Sequence, residues 1–197
     1  MTIKLRWPIV LLLCGTLVLA TLAAGCDTAT AEAREFMERG DAILTGLGPV
    51  IDTMYEALWA LRGEIIEGRI TSSSQYESAS VFVRADNDEY KRQLDDAKGE
   101  FEKILELNGV DDYAEYAQLR LDAIENAYGF SNVVSTTLDG IGNVVSRIEA
   151  GELAGSEAIA AALEPLLLGL VEKDKEVSAR ATELREKAEA LKKDKEL

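Results

Sequence analysis

The stretch Tyr90-Lys91-Arg92-Gln93-Leu94-Asp95-Asp96-Ala97-Lys98-Gly99-Glu100-Phe101-Glu102-Lys103-Ile104 decides the fold. Tyr90, Leu94, Ala97, Phe101 and Ile104 recur at steps of four, three, four and three, which places them on one face of an α-helix at the interval used by packed bundles. Most residues between them are charged, so the opposite face belongs in water. The same pattern predicts a helix from about Ser74 to Leu107, stopped by Asn108-Gly109 because glycine accommodates the left-handed turn that closes helices.

Working outward, three more stretches carry a helical apolar period, and no strand signal competes with them. The first runs from about Ala31 to Gly68, with Phe36, Ile43, Leu47, Val50, Met54, Leu58, Leu61 and Ile65 on one face. Gly46-Leu47-Gly48-Pro49 predicts a kink or short break inside it, since proline offers no N–H and crowds the preceding turn. The third begins near Asp111, read as a cap, with Asp112 favourable at the positive end of the helix dipole. Its inward face is expected to hold Tyr113, Ala117, Leu121, Ile124, Tyr128, Val134, Leu138, Ile141, Val145 and Ile148, while Gly129, Gly140 and Gly142 soften it. The fourth starts at Ser156, a candidate cap, and buries Leu163, Leu167, Leu170, Val177, Ala181, Leu184, Ala188 and Leu191; its second half, rich in Glu, Lys and Ala, suits a solvated coiled-coil-like helix.

Long helices joined by short connections must run antiparallel. The expected fold is all-α: an elongated antiparallel up-down four-helix bundle with coiled-coil-like packing, roughly 50 to 60 Å long at 1.5 Å per residue. Asn108-Gly109 and the C-terminus then share the end at which the first helix begins, and Gly68 to Gln75 and Ala150 to Ser156 form the far tip. A three-helix body with a projecting last helix is the weaker arrangement, because only Pro165 interrupts the last apolar stripe.

The first 26 residues say where the bundle is kept. Lys4 and Arg6 precede an apolar run from Trp7 to Ala24, and Leu22-Ala23-Ala24-Gly25 leads into Cys26, the layout of an export signal. These residues resemble a bacterial lipobox, with Ala23 in place of the usual bulky aliphatic residue. The resemblance covers the leader alone. It implies that Cys26 receives a diacylglyceryl group, carries palmitate-type acyl chains and becomes the first mature residue. An ordinary signal peptide cut elsewhere, or an uncleaved anchor, is the competing reading. Cys14 would leave with the leader, so the mature chain keeps one cysteine and forms no internal disulfide. The expected organisation is a signal peptide at 1–25, a lipid-anchored tether at 26–33 and the bundle domain at 34–197. Asp27 resembles the retention residue of enterobacterial lipoproteins and points to the plasma membrane, extracytoplasmic face.

Removing residues 1–25 leaves 172 of the 197 residues, enough for one domain with a substantial core. It also removes Lys4 and Arg6, taking the formal net charge from −15 to −17. So acidic a surface repels phosphate backbones, which excludes nucleic-acid binding, and repels anionic head groups, so attachment rests on acyl chains. The lysines near the C-terminus, Lys187, Lys192, Lys193 and Lys195, are balanced by Glu186, Glu189, Asp194 and Glu196.

Chemistry is scarce. The chain has no histidine, which removes the commonest general base and the usual haem and di-iron ligands of bundles. Asp86-Asn87-Asp88-Glu89 and Asp111-Asp112 lack the spacing, glycine and closing glutamate of a calcium loop. Ser72-Ser73-Ser74 fits a helix cap better than a nucleophile. No catalytic, metal or cofactor residue is expected, and the chain is read as a non-enzyme. The leading expectation is an adaptor or scaffold that holds a protein partner in the envelope, with Ile70 and Gln75 as candidate contacts at the tip. The alternative is a ligand-binding module, similar in layout to the four-helix sensory domains of chemoreceptors, with Tyr55, Trp59 and Tyr128 as pocket residues near the Gly46–Pro49 break. Without a second membrane span or a signalling region, such a module would act through a separate protein.

Overall fold

The computed structural model describes residues 28–197. The leader and Cys26 lie outside the described residues. Among those described there is no strand. The helices are α1 (28–45), α2 (Leu47–Ile66), α3 (Ser73–Leu105), α4 (Asp111–Glu149) and α5 (Ser156–Asp194). α1 and α2 together form the first limb of an antiparallel four-helix bundle. α2 packs on α3, α3 on α4, α4 on α5, and α5 closes the ring against α2 over the smallest contact. A 39-residue helix such as α4 is about 58 Å long, so the body is a rod.

The predicted break is a single turn residue. Pro49 has no N–H to offer the Thr45 carbonyl, and α1 stops there; Gly46 N–H bonds Ile43 O at 3.0 Å and α2 starts at the next residue. Pro49 then sits in the first turn of α2, where backbone N–H groups have no helical partner to lose. Within the stretch read as a tether, residues 28–33 are helical and Ala33 is fully buried, so the packed body begins before residue 34; residues 26 and 27 lie outside the described residues.

The decisive run behaves as its spacing requires, for Tyr90, Leu94, Ala97, Phe101 and Ile104 are all buried. Ser72 caps α3 in a reciprocal box with Gln75. The other two predicted caps shift by one residue. Val110 precedes α4, leaving Asp111 and Asp112 in its first turn, and Gly155, at φ 86°, precedes α5 with no side-chain cap. At φ 86° a backbone wants no Cβ, so glycine takes the junction and Ser156 becomes the first helical residue.

Gly140 and Gly142 mark close approaches more than soft points. A Cβ at Gly140 would meet Leu166 Cδ2 at 2.8 Å, and one at Gly142 would meet the Tyr76 ring at 3.0 Å. Gly40 is tighter still, with Phe101 Cζ 2.6 Å from where its Cβ would stand. At these points glycine admits a neighbouring helix that alanine would hold off.

Both ends are tied as the topology demands. At one end Arg34 Nε donates to Tyr113 Oη at 3.3 Å and Lys195 pairs with Asp112 at 3.1 Å, bringing α1, the start of α4 and the C-terminus together. At the other, Ser73 N and Oγ donate to Glu149 Oε2 at 2.9 and 2.6 Å, clamping the start of α3 to the end of α4. Lys187 and Lys192 pair with Glu183 and Asp41, so the C-terminal lysines are largely taken up within the chain.

Candidate functional site

Three helices carry an unbroken four-three repeat of inward positions, and polar residues occupy some of them. In α3 the row reads Tyr76, Ser80, Val83, Asn87, Tyr90, Leu94. In α4 it includes Arg120, Ile124, Ala127, Ser131 and Val134, and in α5 Leu167, Leu170, Asp174, Val177 and Ala181. Buried polar groups are costly unless paired, so each asks for its partner.

Two are answered inside the bundle. Asn87 Nδ2 donates to Ser131 O at 3.3 Å and Ser135 Oγ at 3.1 Å, and Ser131 Oγ returns a bond to Asn87 Oδ1 at 2.8 Å. This pairs α3 with α4 in one register. Arg120 Nε donates to Tyr116 Oη at 3.0 Å, Tyr116 donates to Asp41 Oδ2 at 2.6 Å, and Arg120 Nη2 lies 2.7 Å from Asp41 Oδ1. Asp41 Oδ1 accepts no well-angled hydrogen bond, so that last contact is a Coulombic pairing. Lys192 at 3.7 Å from Asp41 and Glu189 at 3.5 Å from Arg120 join α5 to the knot. Burial, with Asp41 as its acceptor, raises the Tyr116 hydroxyl pKa well above the phenol range.

Asp174 is not answered in that way. It is half-buried, accepts Ser178 Oγ at 3.3 Å from its own helix, and has no ion-pair partner among the described residues. The Tyr55 hydroxyl is buried beside it with no well-formed hydrogen bond; burial and the Asp174 carboxylate hold its pKa above the ordinary range. Burial, then the charge of Asp174, pushes Tyr90 up to about 12.

Asp174 lines a cavity of about 280 Å³ at the seam between the first limb and α5. Leu44, Leu47 and Ile51 straddle the Gly46 break on one wall. Tyr90 and Leu94 of α3 and Ile124 and Phe130 of α4 form the floor, with the Tyr90 and Phe130 rings edge-on at 5.8 Å. Arg120 closes one side, and the exposed Ser178, Thr182 and Arg185 border the mouth.

The cavity lies beside the predicted break, but Tyr55, Trp59 and Tyr128 do not line it. Trp59 is 48 % exposed with the Arg62 guanidinium 5.8 Å from its ring, because its position turns past the edge of the buried stripe. Tyr128 is half-buried and donates to Asp95 on α3. Tyr55 alone of the three adjoins the site, through Asp174 and a tilted contact with Phe130 at 6.1 Å. At the tip, Gln75 is exposed and engaged in the α3 cap, whereas Ile70 is 4 % exposed: the chain turns back through Gly68 and lays Ile70 on the core. Ile70 is therefore a core residue and presents no partner contact.

Asp174, Arg120, Tyr90 and Phe130 make up the site that sequence reasoning did not assemble. The signal was present in the repeat itself, where Asp174 stands four after Leu170 and three before Val177. Among the described residues no cluster of His, Cys, Asp and Glu is arranged to hold a metal ion, and no helix is long and apolar enough to cross a membrane. No family model, curated protein or solved structure matches the chain.

Proposed function

We propose that this chain is a non-enzymatic, lipid-anchored protein of the cell envelope, attached through Cys26 on the extracytoplasmic face, whose helical rod serves as an adaptor or scaffold for a membrane or envelope partner. The observation that carries this reading is the polarity of the rod. α1 is helical from residue 28, two residues past Cys26, and the C-terminus returns to that same end. A chain acylated at Cys26 would therefore stand its body directly on the bilayer, with the 67–72 and 150–155 turns held about 58 Å away. The absence of histidine leaves the non-enzymatic reading the simplest.

Cross-linking in intact cells followed by purification and mass spectrometry tests it. A reproducible near-stoichiometric envelope partner, lost on Arg69→Glu together with Glu152→Arg at the exposed tip, supports the adaptor. Recovery of this chain alone, in good yield, argues against it.

A second reading, a ligand-binding module, is favoured by one observation: the cavity beside the α1–α2 break, with Asp174 at its wall lacking an ion-pair partner among the described residues. Dose-dependent stabilisation by a small molecule, abolished by a bulky residue at the mouth, would establish it.

A further inference from the structure

We infer that the cavity between the first limb and α5 binds a small organic monocation with a short apolar body, an alkylammonium, its positive group held between the Asp174 carboxylate and the rings of Tyr90 and Phe130. This rests on the ligand-binding reading and gives that site its ligand class.

Four observations converge. First, Asp174 fills an inward position of the α5 repeat, where an apolar residue costs nothing and a carboxylate costs desolvation. The comparable polar positions, Asn87 and Arg120, are matched within the bundle, and Asp174 has no ion-pair partner among the described residues. Second, Tyr90 and Phe130 line the same cavity, and aromatic faces attract cations, alkylated ammonium most characteristically. Third, the group set beside Asp174 from the first limb is the Tyr55 hydroxyl, which is neutral and leaves the charge of the carboxylate in place. Fourth, the net charge of −15 draws cations toward the protein before contact.

The arginines of the cavity do not cancel this end. Arg120 is committed to Asp41 at 2.7 Å and Glu189 at 3.5 Å. Arg185 lies eleven residues, about three turns, along α5 from Asp174, and is exposed at the mouth. Leu47, Ile51 and Val177 leave an apolar channel for the ligand body. With about 280 Å³ available, the occupant is a compact amine and not a folded polymer segment.

The test is isothermal titration calorimetry on the full chain in nanodiscs, with empty nanodiscs as the blank and three probes of one body size: butyltrimethylammonium, pentanoate and butanol. Saturable binding of butyltrimethylammonium is expected, weakened about tenfold in Asp174→Asn and lost in Ser178→Trp, which fills the exposed mouth and removes the Ser178 hydroxyl from Asp174. Thermal melts of both variants establish that they fold. Should Asp174→Asn fail to fold, the Ser178→Trp result and the probe ranking decide. Preferred binding of pentanoate or butanol would overturn the cation and leave a ligand site. Binding unaffected by either variant would overturn the location, and no saturable binding of any probe would remove both the cation and the ligand-binding reading.

Discussion

Arg120 Nη2 stands 2.7 Å from Asp41 Oδ1, joining α4 to α1 across the bundle just below the Gly46 break. Both side chains are mostly buried, at 10 % and 18 % exposed, so neither charge has water to fall back on. The pair sits beside the turn that interrupts the first limb, and it holds α1 to the body independently of α2.

Arg120→Met should therefore be worse than a loss of one surface ion pair. It leaves Asp41 buried with only Tyr116 and a distant Lys192, and a cost of about 3 kcal/mol is expected. Urea denaturation checks it. Asp41→Asn with Arg120→Met together should recover part of the loss, since the uncompensated charge is then gone.

Two glycines predict opposite signs for the same substitution. Gly40→Ala drives a Cβ into the fully buried Phe101 ring and should destabilise by about 1 to 3 kcal/mol, despite the helix preference of alanine. Gly63→Ala meets nothing within 4 Å inside α2 and should stabilise by about 0.5 to 1 kcal/mol. A melting temperature that rises for Gly40→Ala would contradict the close approach to Phe101, and one that falls for Gly63→Ala would contradict the open space there.

Acid sensitivity follows from three carboxylates. Arg92 and Gln93 hold Glu89 at about 2, and Lys187 and Arg180 hold Glu183 at about 2, against an ordinary 4.5. The hydroxyl and amide of Ser73 hold Glu149 below its ordinary value. A carboxylate whose pKa is lower in the folded state stabilises above the unfolded value and loses that contribution as pH falls through the folded one. Stability should decline from about pH 4.5 toward pH 2, and Glu183→Gln should flatten the decline. Glu149 and Glu183 are exposed and Glu89 is half-exposed, so added salt should shrink the effect. A pH profile in urea, with and without salt, measures it.

The fold was legible because the apolar period is strong and local. Tyr90 to Ile104 required a helix with one buried face, and Pro49, Gly109 and Gly68 required interruptions near where they occur. Cap identity was legible less well, because a carboxylate or hydroxyl one residue inside the helix reads the same as one at its edge; Asp111 and Ser156 are such cases. The site was the least legible. Aromatic residues drew attention by type, yet Trp59 lies outside the buried stripe, while Asp174 and Arg120 were hidden by being polar in an apolar row. Whether such a residue is a register lock or a ligand group depends on its cross-bundle partner. Arg120 has the opposite charge of Asp41, whereas Asp174 has the neutral Tyr55 hydroxyl beside it and no ion-pair partner among the described residues.

The anchored rod is tested most directly by the intact mass of the protein extracted from the membrane fraction of its own host. A mature chain beginning at Cys26 and carrying a diacylglyceryl group is the predicted species, with Cys26→Ser giving an unacylated precursor. An unmodified chain beginning at any other residue, or the full chain retaining Met1, would contradict it.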